Sequence, residues 1–376
     1  MKARGGTKNP SFEVLADGLV TQKIHAQYGG VYPMMAKREH IKNLPILLEK
    51  ILPPPRQRLG GGLGSFRGKP VDVIAVTSGP GLEPCLWTGI TLAQELGEKW
   101  SVPVVPVNHM EGHILSVFGN KKGKFKIPSQ KGKQAKINFP VLALLVSGGH
   151  TELVLIKDWG KYKIIGKTLD DAAGEAFDKV ARMLGLPYPG GPHISKLAEK
   201  ERIMFLKRLG SATARARGIF QQKNIRASQK YNSEINLPRP MLYSKNFDFS
   251  FSGLKTAVLY LIKKIGPLDQ KKKSQIAMEF ENAVVETLVY KTKKAVEKHK
   301  TKTVIMAGGV AVNKHLRKKM KKSLGKENRL LFPTKELARD NAIMIGMAGY
   351  LRYLKKKIGV KNTIKIKAEG KLQLSR

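Results

Sequence analysis

The chain has 376 residues, of which 69 are Lys or Arg and 28 are Asp or Glu, and its formal net charge is +41. This length allows two domains or one two-lobed domain, and a hydrophobic content of 41% is enough for a core. Cys85 is the only cysteine, which excludes an internal disulfide and a thiolate metal cluster.

No apolar run in the sequence approaches the ~20 residues that a membrane span needs. The first residues also do not resemble a signal peptide. We therefore expect a cytoplasmic protein without a membrane partner. The positive charge favours phosphate polymers, nucleic acid above all, as partners. A lysine-rich proteome would produce the same excess, so the charge alone leaves both explanations open.

Alternating strands and helices predict an α/β protein. Met1–Pro10 is expected to be frayed, and three basic segments, 121–136, 211–230 and 355–376, are expected to be loops or tail. The predicted elements are, in chain order, a strand over Glu13–Ile24, a helix over Met34–Leu52, a strand over Val71–Thr77, a helix ending at Trp100, a strand over Val102–Val107, a helix from His109, strands over Phe139–Val146 and Glu152–Lys157, helices over Asp170–Leu184 and Gln275–Lys298, a strand over Thr303–Ala307, and a helix over Asp340–Lys357.

His109 and His113 are the first candidates for a metal site. Histidines four residues apart lie on one face of a helix, so both imidazoles can reach one ion, and Asn108 is the predicted N-cap. A third ligand must come from elsewhere, and without it the pair is equally consistent with ordinary packed or exposed histidines. In a zinc protease helix Glu directly follows the first His. Here Glu111 is displaced by about 100° around the helix, which argues against a peptidase.

Three predicted strands end in glycine turns, at Thr77–Leu82, Val146–Thr151 and Met306–Val310. Glycine lets the backbone approach a ligand closely, and its N–H groups can bind phosphate oxygens. The turns match neither the P-loop nor the dinucleotide fingerprint. Two of them, at Ser147–Gly149 and Gly308–Gly309, follow strongly apolar strands and predict a nucleotide cleft.

Several motifs together resemble one family. In the family's order they are His109–His113, Val146–Thr151, Asp170–Lys179, Tyr188–Pro192, Asp248–Thr256, Met306–Val310 and Asp340–Asn341. From about Ala16 to Leu354 the chain resembles the TsaD/Kae1/Qri7 family of tRNA threonylcarbamoyltransferases, in particular its bacterial TsaD branch. The resemblance implies an actin/Hsp70-like (ASKHA) α/β fold, with two RNase-H-like lobes and a nucleotide cleft between them. We assign residues 11–136 to the N-terminal lobe, 137–354 to the C-terminal lobe and 355–376 to a basic tail.

The resemblance also implies a reaction. Family members transfer a threonylcarbamoyl group from threonylcarbamoyl-AMP to the adenosine 3′ of the anticodon, in tRNAs that read codons beginning with A, and release AMP. The implied metal is one divalent ion, Fe²⁺ in preference to zinc. The implied partners are tRNA, a TsaB-like paralogue that forms a heterodimer, and a TsaE-like ATPase.

Family site residues carry over position by position. The metal ligands would be His109, His113 and Asp340, although Asp340 taken alone would be read as a helix N-cap. No side chain is assigned as a nucleophile, because the acyl adenylate is already activated. His150 and Lys255 are left without a catalytic role. The residues expected to contact the adenylate are Leu145, Val146, Ser147, Gly148, Gly149, Asp178, Gly191 and Asn313.

The chain departs from the family at its start. Relatives open with a strand and an acidic turn at the phosphate site, and nothing in Met1–Pro10 matches them, so the opening strands of the first lobe are expected to be missing. Most members also carry Glu where Met34 stands. We expect the missing segment to lie upstream of Met1; the alternative is a weakened or inactive relative that serves as a tRNA- or partner-binding scaffold. A metallopeptidase and a sugar or acetate kinase fit the residues less well.

Overall fold

The computed structural model describes residues 1–6, 10–22, 24–52, 70–119, 124–126, 137–216, 235–356 and 366–374. The elements in chain order are β1 (Lys2–Arg4), β2 (Ser11–Glu13), α1 (Ile24–Gln27), α2 (Pro33–Ile51), β3 (Ile74–Gly79), α3 (Glu83–Trp100), β4 (Val104–Asn108), α4 (His109–Ser116), β5 (Lys124–Lys126), β6 (Val141–Val146), β7 (Thr151–Asp158), β8 (Lys161–Lys167), α5 (Ala173–Met183), α6 (Gly190–Ala216), α7 (Ser252–Ile265), α8 (Gln270–His299), β9 (Thr303–Ala307), α9 (Lys314–Leu324), β10 (Arg329–Leu331) and α10 (Ala342–Lys356).

The largest sheet has five strands in the order β10-β9-β6-β7-β8. Strand β9 runs parallel to β6 and β10, whereas β6, β7 and β8 are joined as antiparallel neighbours. Every residue of β6 and β9 is buried, as expected for strands covered on both faces. Because parallel strands end at the same edge, the glycine turns after β6 and β9 lie side by side.

Alternate residues of β6 serve different cores. Leu142, Leu144 and Val146 join α5, α7, α8 and α9 in one apolar cluster. Val141, Ala143 and Leu145 face the other way, into a cluster with α4 and α10. This follows from the two-residue period of a strand. The sheet is therefore the common wall of both cores, and it holds α4 and its histidines in place.

The N-terminal part contains two smaller sheets. Strands β3 and β4 are parallel to each other, and β1, β2 and β5 form an antiparallel sheet in the order β1-β2-β5. Helix α3 packs on β3 and β4 through Leu86, Ile90 and Ala93. Among the described strands, none hydrogen-bonds to the β3 edge opposite β4. Of the described strands, β4 is thus the only one paired with β3 in the sheet that carries α4.

The prediction of a strand over Glu13–Ile24 is wrong. The strand covers only Ser11–Glu13, and helix α1 begins at Ile24. Leu15 and Leu19 are exposed, so this stretch has no buried face that would stabilise a strand. The expectation of a frayed start was also wrong, because Lys2–Arg4 pairs with Ser11–Glu13.

Other boundaries were close to those predicted, and β9 matches at both ends. The sequence patterns missed α1, β8, α6, α7 and β10. Of the basic segment 211–230, the first six residues belong to α6 rather than to a loop, and the rest lies outside the described residues. Most of 121–136 also lies outside them, apart from β5.

The division into lobes at residues 136 and 354 stays a prediction. Helix α10, assigned to the C-terminal lobe, packs against α4, β3 and β4. Residues 366–374 of the predicted tail also contact β3, as described below. In the described part of the chain, no helix is both long enough and apolar enough to cross a bilayer.

Candidate metal centre and nucleotide cleft

Asn108 starts the helix that carries the histidine pair. It ends β4, is buried, and accepts hydrogen bonds at Oδ1 from the backbone N–H groups of Met110 (2.9 Å) and Glu111 (3.4 Å). This is the predicted N-cap, because the side chain satisfies N–H groups that have no partner within the helix. The cap fixes where α4 begins, and with it the direction of His109.

The structure brings the three predicted metal ligands together. Asp340 Oδ1 lies 3.1 Å from His109 Nε2 and 3.2 Å from His113 Nε2. One donor atom from each residue falls within 4.8 Å of the others, and the two imidazole rings meet edge to face with centroids 4.7 Å apart. Two imidazole nitrogens and a carboxylate oxygen form a donor set that suits Fe²⁺ or Zn²⁺. The residues present therefore fit the implied metal.

The three ligands differ in exposure. His113 is 1% exposed, whereas 80% of the Asp340 side chain is open to solvent. Burial lowers the pKa of His113, which favours the neutral, metal-binding imidazole. Desolvation raises the pKa of Asp340, but the hydrogen bonds from His109 and His113 outweigh it and hold that pKa below its usual range. Solvent at the Asp340 side leaves room for an exchangeable ligand.

Asp340 is not the N-cap of α10. The side chain of the next residue, Asn341, accepts a hydrogen bond from the N–H of Met344 at 2.9 Å. The N-cap interpretation that Asp340 alone suggested was therefore wrong, because Asn341 is the residue that caps α10. The Asp340 carboxylate is available to the two histidines.

The Glu111 side chain does not lie where a protease's general base would, beside the metal ligands. It is buried, and its Oε1 accepts a hydrogen bond from the Tyr162 hydroxyl on β8 at 2.9 Å. Burial raises the pKa of Glu111. Among the described residues it is not part of the ligand cluster, which agrees with the argument against a peptidase.

The two glycine turns after β6 and β9, which predicted a nucleotide cleft, lie in contact with each other. A side chain at Gly308 would overlap the carbonyl of Val146, so glycine is required for this close approach. Gly174, at the start of α5, donates its N–H to Ser147 O at 3.2 Å. A Cβ at Gly148, Gly149 or Gly309 would find no described atom within 4 Å. These turns therefore border open space, as a ligand cleft would require. Leu145 and Val146, by contrast, are buried in β6.

Asp178 and Gly191 also come together. Asp178 Oδ1 accepts the Gly190 N–H at 2.7 Å, and Gly191 donates to the same carboxyl group. Burial raises the pKa of Asp178 against the effect of these bonds. The carboxylate thus holds the start of α6 next to α5. Its contact with a ribose stays a prediction.

The Asn313 side chain is occupied by protein groups. Its Oδ1 caps α9 through Leu316 N–H (2.8 Å), and its Nδ2 donates to Ser195 Oγ (2.9 Å) and Glu281 Oε1 (2.7 Å). A nucleotide would have to replace one of these partners. The predicted contact of Asn313 with the adenylate stays a prediction. The sequence did not indicate that this side chain caps α9 and bonds Ser195 and Glu281.

Sequence reasoning also missed a clamp between two motifs. Asp170 accepts hydrogen bonds from the backbone and side chain of Ser252, from Phe251 N–H and from the Ser250 hydroxyl. The next residue, Asp171, pairs with Lys179 (2.7 Å) and Lys255 (2.9 Å). Lys255, which had no assigned role, is therefore an ion-pair partner. No local pattern marks contacts between residues about 80 positions apart in the chain.

His150 closes the glycine turn that follows β6, and its pKa lies below that of an ordinary histidine. Its carbonyl accepts Ser147 N–H at 2.8 Å. Burial, followed by the charges of His109 and His113, lowers the pKa of His150 from 6.5 to about 4. At about pH 5, where an exposed imidazole is mostly protonated, we expect the His150 ring of the metal-free protein to be neutral. NMR of ¹⁵N-histidine, assigned with His150→Gln, measures this directly.

The lowered pKa of His150 also makes the unfolding free energy depend on pH. Because the unfolded chain takes up a proton near pH 6.5 and the folded chain does not, His150 stabilises the fold fully above that pH. Its contribution declines as the pH falls from about 6.5 towards about 4. His150→Gln should flatten the decrease in unfolding free energy over this range. A ring that titrates near 6.5 in the folded protein contradicts the expectation.

Comparisons with known proteins identify the family of this chain. The family model for TsaD, tRNA N6-adenosine threonylcarbamoyltransferase, matches residues 13–222 and 211–347. A protein of that name from Thermosipho africanus is 39% identical over 353 residues, covering 92% of this chain and 91% of the relative. A protein of the same name from Acidovorax sp. is 40% identical over 341 residues, covering 90% of this chain and 83% of the relative. Full-length HypF in its phosphate- and nucleotide-bound form is a looser structural match, with TM-score 0.44, 12% identity, and coverage of 76% of this chain and 39% of that chain. The chain belongs to the TsaD family of tRNA N6-adenosine threonylcarbamoyltransferases.

Proposed function

We propose that this protein transfers a threonylcarbamoyl group from threonylcarbamoyl-AMP to N6 of the adenosine 3′ of the anticodon, in tRNAs that read codons beginning with A. Family membership supports the reaction. The observation that carries it for this chain is that Asp340, just before α10, meets His109 and His113 on α4, a helix that packs against β6 and β9. The ends of those strands form the glycine turns of the cleft.

The chain's own groups suit this chemistry. Backbone N–H groups of Gly148 and Gly149 would bind the AMP phosphate, and Asp178 would orient the ribose. The donor is already activated, so the protein needs to position the carbonyl and the adenosine amine rather than supply a nucleophile. A divalent metal on His109, His113 and Asp340, which we propose to be Fe²⁺ rather than Zn²⁺, would supply Lewis-acid polarisation of the acyl carbonyl.

Partners are proposed on the same basis. The net charge of +41 suits binding of a tRNA backbone. Helix α2 exposes Met34, Ile41 and Ile46, which supports a protein partner on that surface, and we propose a TsaB-like paralogue. A TsaE-like ATPase would complete the set. Because tRNA is a cytoplasmic substrate, we place the reaction in the cytoplasm.

A transfer assay tests the proposal. The purified chain is given synthetic threonylcarbamoyl-AMP and an unmodified tRNA that reads an A-starting codon, with and without the two partner proteins. We expect threonylcarbamoyladenosine in the nuclease digest by mass spectrometry. The matched control is the same tRNA with guanosine in place of the target adenosine. Binding of tRNA without product, even with partners present, would support the scaffold alternative instead.

A further inference from the structure

Residues Ile366–Leu374, here called the C-terminal strap, lie along the open edge of β3. Glu369 N–H donates to Ser78 O at 2.8 Å, and Gly81 N–H donates to Gly370 O at 3.1 Å. Gly370 N–H also reaches Glu83 Oε1 at 3.3 Å. An open strand edge has unpaired backbone groups that another extended segment can satisfy. The strap supplies such partners for Ser78 and Gly81 from the far end of the chain, and it then turns at Gly370–Lys371, where Leu372 N–H donates to Glu369 O at 3.1 Å.

The strap fits this position by shape as well as by hydrogen bonds. Ile366 is 6% exposed and belongs to the apolar cluster of Leu86, Ile90 and Val104, whereas Lys367 is exposed. Residues 368–370 are all half-buried, and beyond the turn Leu372 and Leu374 are half-buried while Lys371 and Gln373 are exposed. Any side chain at Gly79 would overlap the Glu369 carbonyl oxygen and lie 2.8 Å from Leu372 Cβ. Glycine at that point is what allows the strap to approach.

The strap also touches the cap of the histidine helix. Asn108 Nδ2 donates to Leu372 O at 3.5 Å, a long hydrogen bond, while Oδ1 of the same amide accepts the N–H groups of Met110 and Glu111. An amide has its acceptor and its donors on opposite sides. Holding the nitrogen against the strap therefore keeps the oxygen turned towards α4. His109 is the first residue of that helix.

We propose that the C-terminal strap is a positioning segment for the candidate metal centre. It completes the edge of the β3–β4 sheet and orients Asn108, and through this cap it fixes His109 and His113 for binding a divalent cation. The part that concerns the metal rests on the proposed function. The hold on the start of α4 is a property of the chain alone and can be measured without metal.

Truncation tests the strap directly. A chain ending at residue 365 is compared with a control that lacks only residues 375–376. In metal-free protein, we expect faster hydrogen exchange at the Met110 and Glu111 amides in the truncated chain only. Affinity for Fe²⁺ under anaerobic conditions, and for Zn²⁺, should fall by about tenfold or more, the usual effect of losing a group that orients ligands. A synthetic peptide of residues 366–374 should restore both.

A substitution in the full chain covers the case in which the truncated protein fails to fold. Gly79→Ala displaces the strap and also strains the backbone of Gly79, which has φ +157°, whereas Gly89→Ala on α3 adds a methyl group with only ordinary contact, 3.8 Å from Val76 Cγ2. We expect weaker metal binding and faster exchange at Met110 for Gly79→Ala alone. Unchanged exchange and affinity in Gly79→Ala overturn the proposal. Faster exchange in a protein whose wild type binds no metal would reject the metal centre and keep the strap's role at α4.

Discussion

Replacing either His109 or Asp340 with Ala should reduce threonylcarbamoyl transfer by about 10²-fold or more. Both donor atoms belong to the cluster within 4.8 Å, and each is needed to hold the proposed cation. Lewis-acid polarisation is worth several kcal/mol of transition-state stabilisation, and about 1.4 kcal/mol corresponds to a factor of ten in rate. We expect kcat to fall, since the glycine turns that would bind the nucleotide are untouched.

These two positions separate catalysis from stability. Asp340 is largely exposed and His109 partly so, whereas His113 is buried and its removal would leave a cavity. The unfolding free energy of His109→Ala should therefore change by less than about 1 kcal/mol, whereas Asp340→Ala, which leaves the buried His113 Nε2 without its acceptor, should cost about 1–3 kcal/mol. His299→Ala, at the end of α8 and away from the cluster, is the matched histidine control. Bound metal is measured by elemental analysis, and full transfer activity in both variants would rule out the metal role.

The sequence predicted best where the signal is local. The spacing of His109 and His113, the cap at Asn108 and the apolar runs of β6 and β9 each depend on residues within a few positions of one another. Asp340 is different, because it lies 231 residues from His109. No periodicity links them, and only the resemblance to a family placed Asp340 with the pair.

Long-range pairing explains what was missed. The strap belongs to a segment that its lysines mark as a basic tail, yet Ile366 is buried in a cluster that contains Val104. Its contact with Asn108 spans 264 positions. Strand β1 likewise forms only because Ser11–Glu13 is available to pair with it. In each case burial is decided by a distant partner, which a local pattern does not contain.

Arg202→Ala should destabilise the protein by about 3–5 kcal/mol. Arg202 Nη2 lies 2.8 Å from Glu281 Oε2, and the Glu281 side chain is 1% exposed. Removing the guanidinium leaves a buried carboxylate whose remaining hydrogen bond, from Asn313 Nδ2 at 2.7 Å, does not compensate its charge. Chemical denaturation with urea measures the loss. Lys293→Ala, which breaks an exposed pair with Glu297, is the control and should cost at most about 0.5 kcal/mol.

A double variant distinguishes a buried charge from lost packing. If the cost of Arg202→Ala arises from the unpaired Glu281 carboxylate, then Arg202→Ala with Glu281→Leu should recover most of it, because no buried charge remains although the arginine stem is still absent. Glu281→Leu also removes the acceptor of Asn313, so one buried hydrogen bond stays lost, and recovery should fall short by about 1 kcal/mol. A double variant no more stable than Arg202→Ala would mean that packing of the arginine stem, and not its charge, stabilises the contact between α6 and α8.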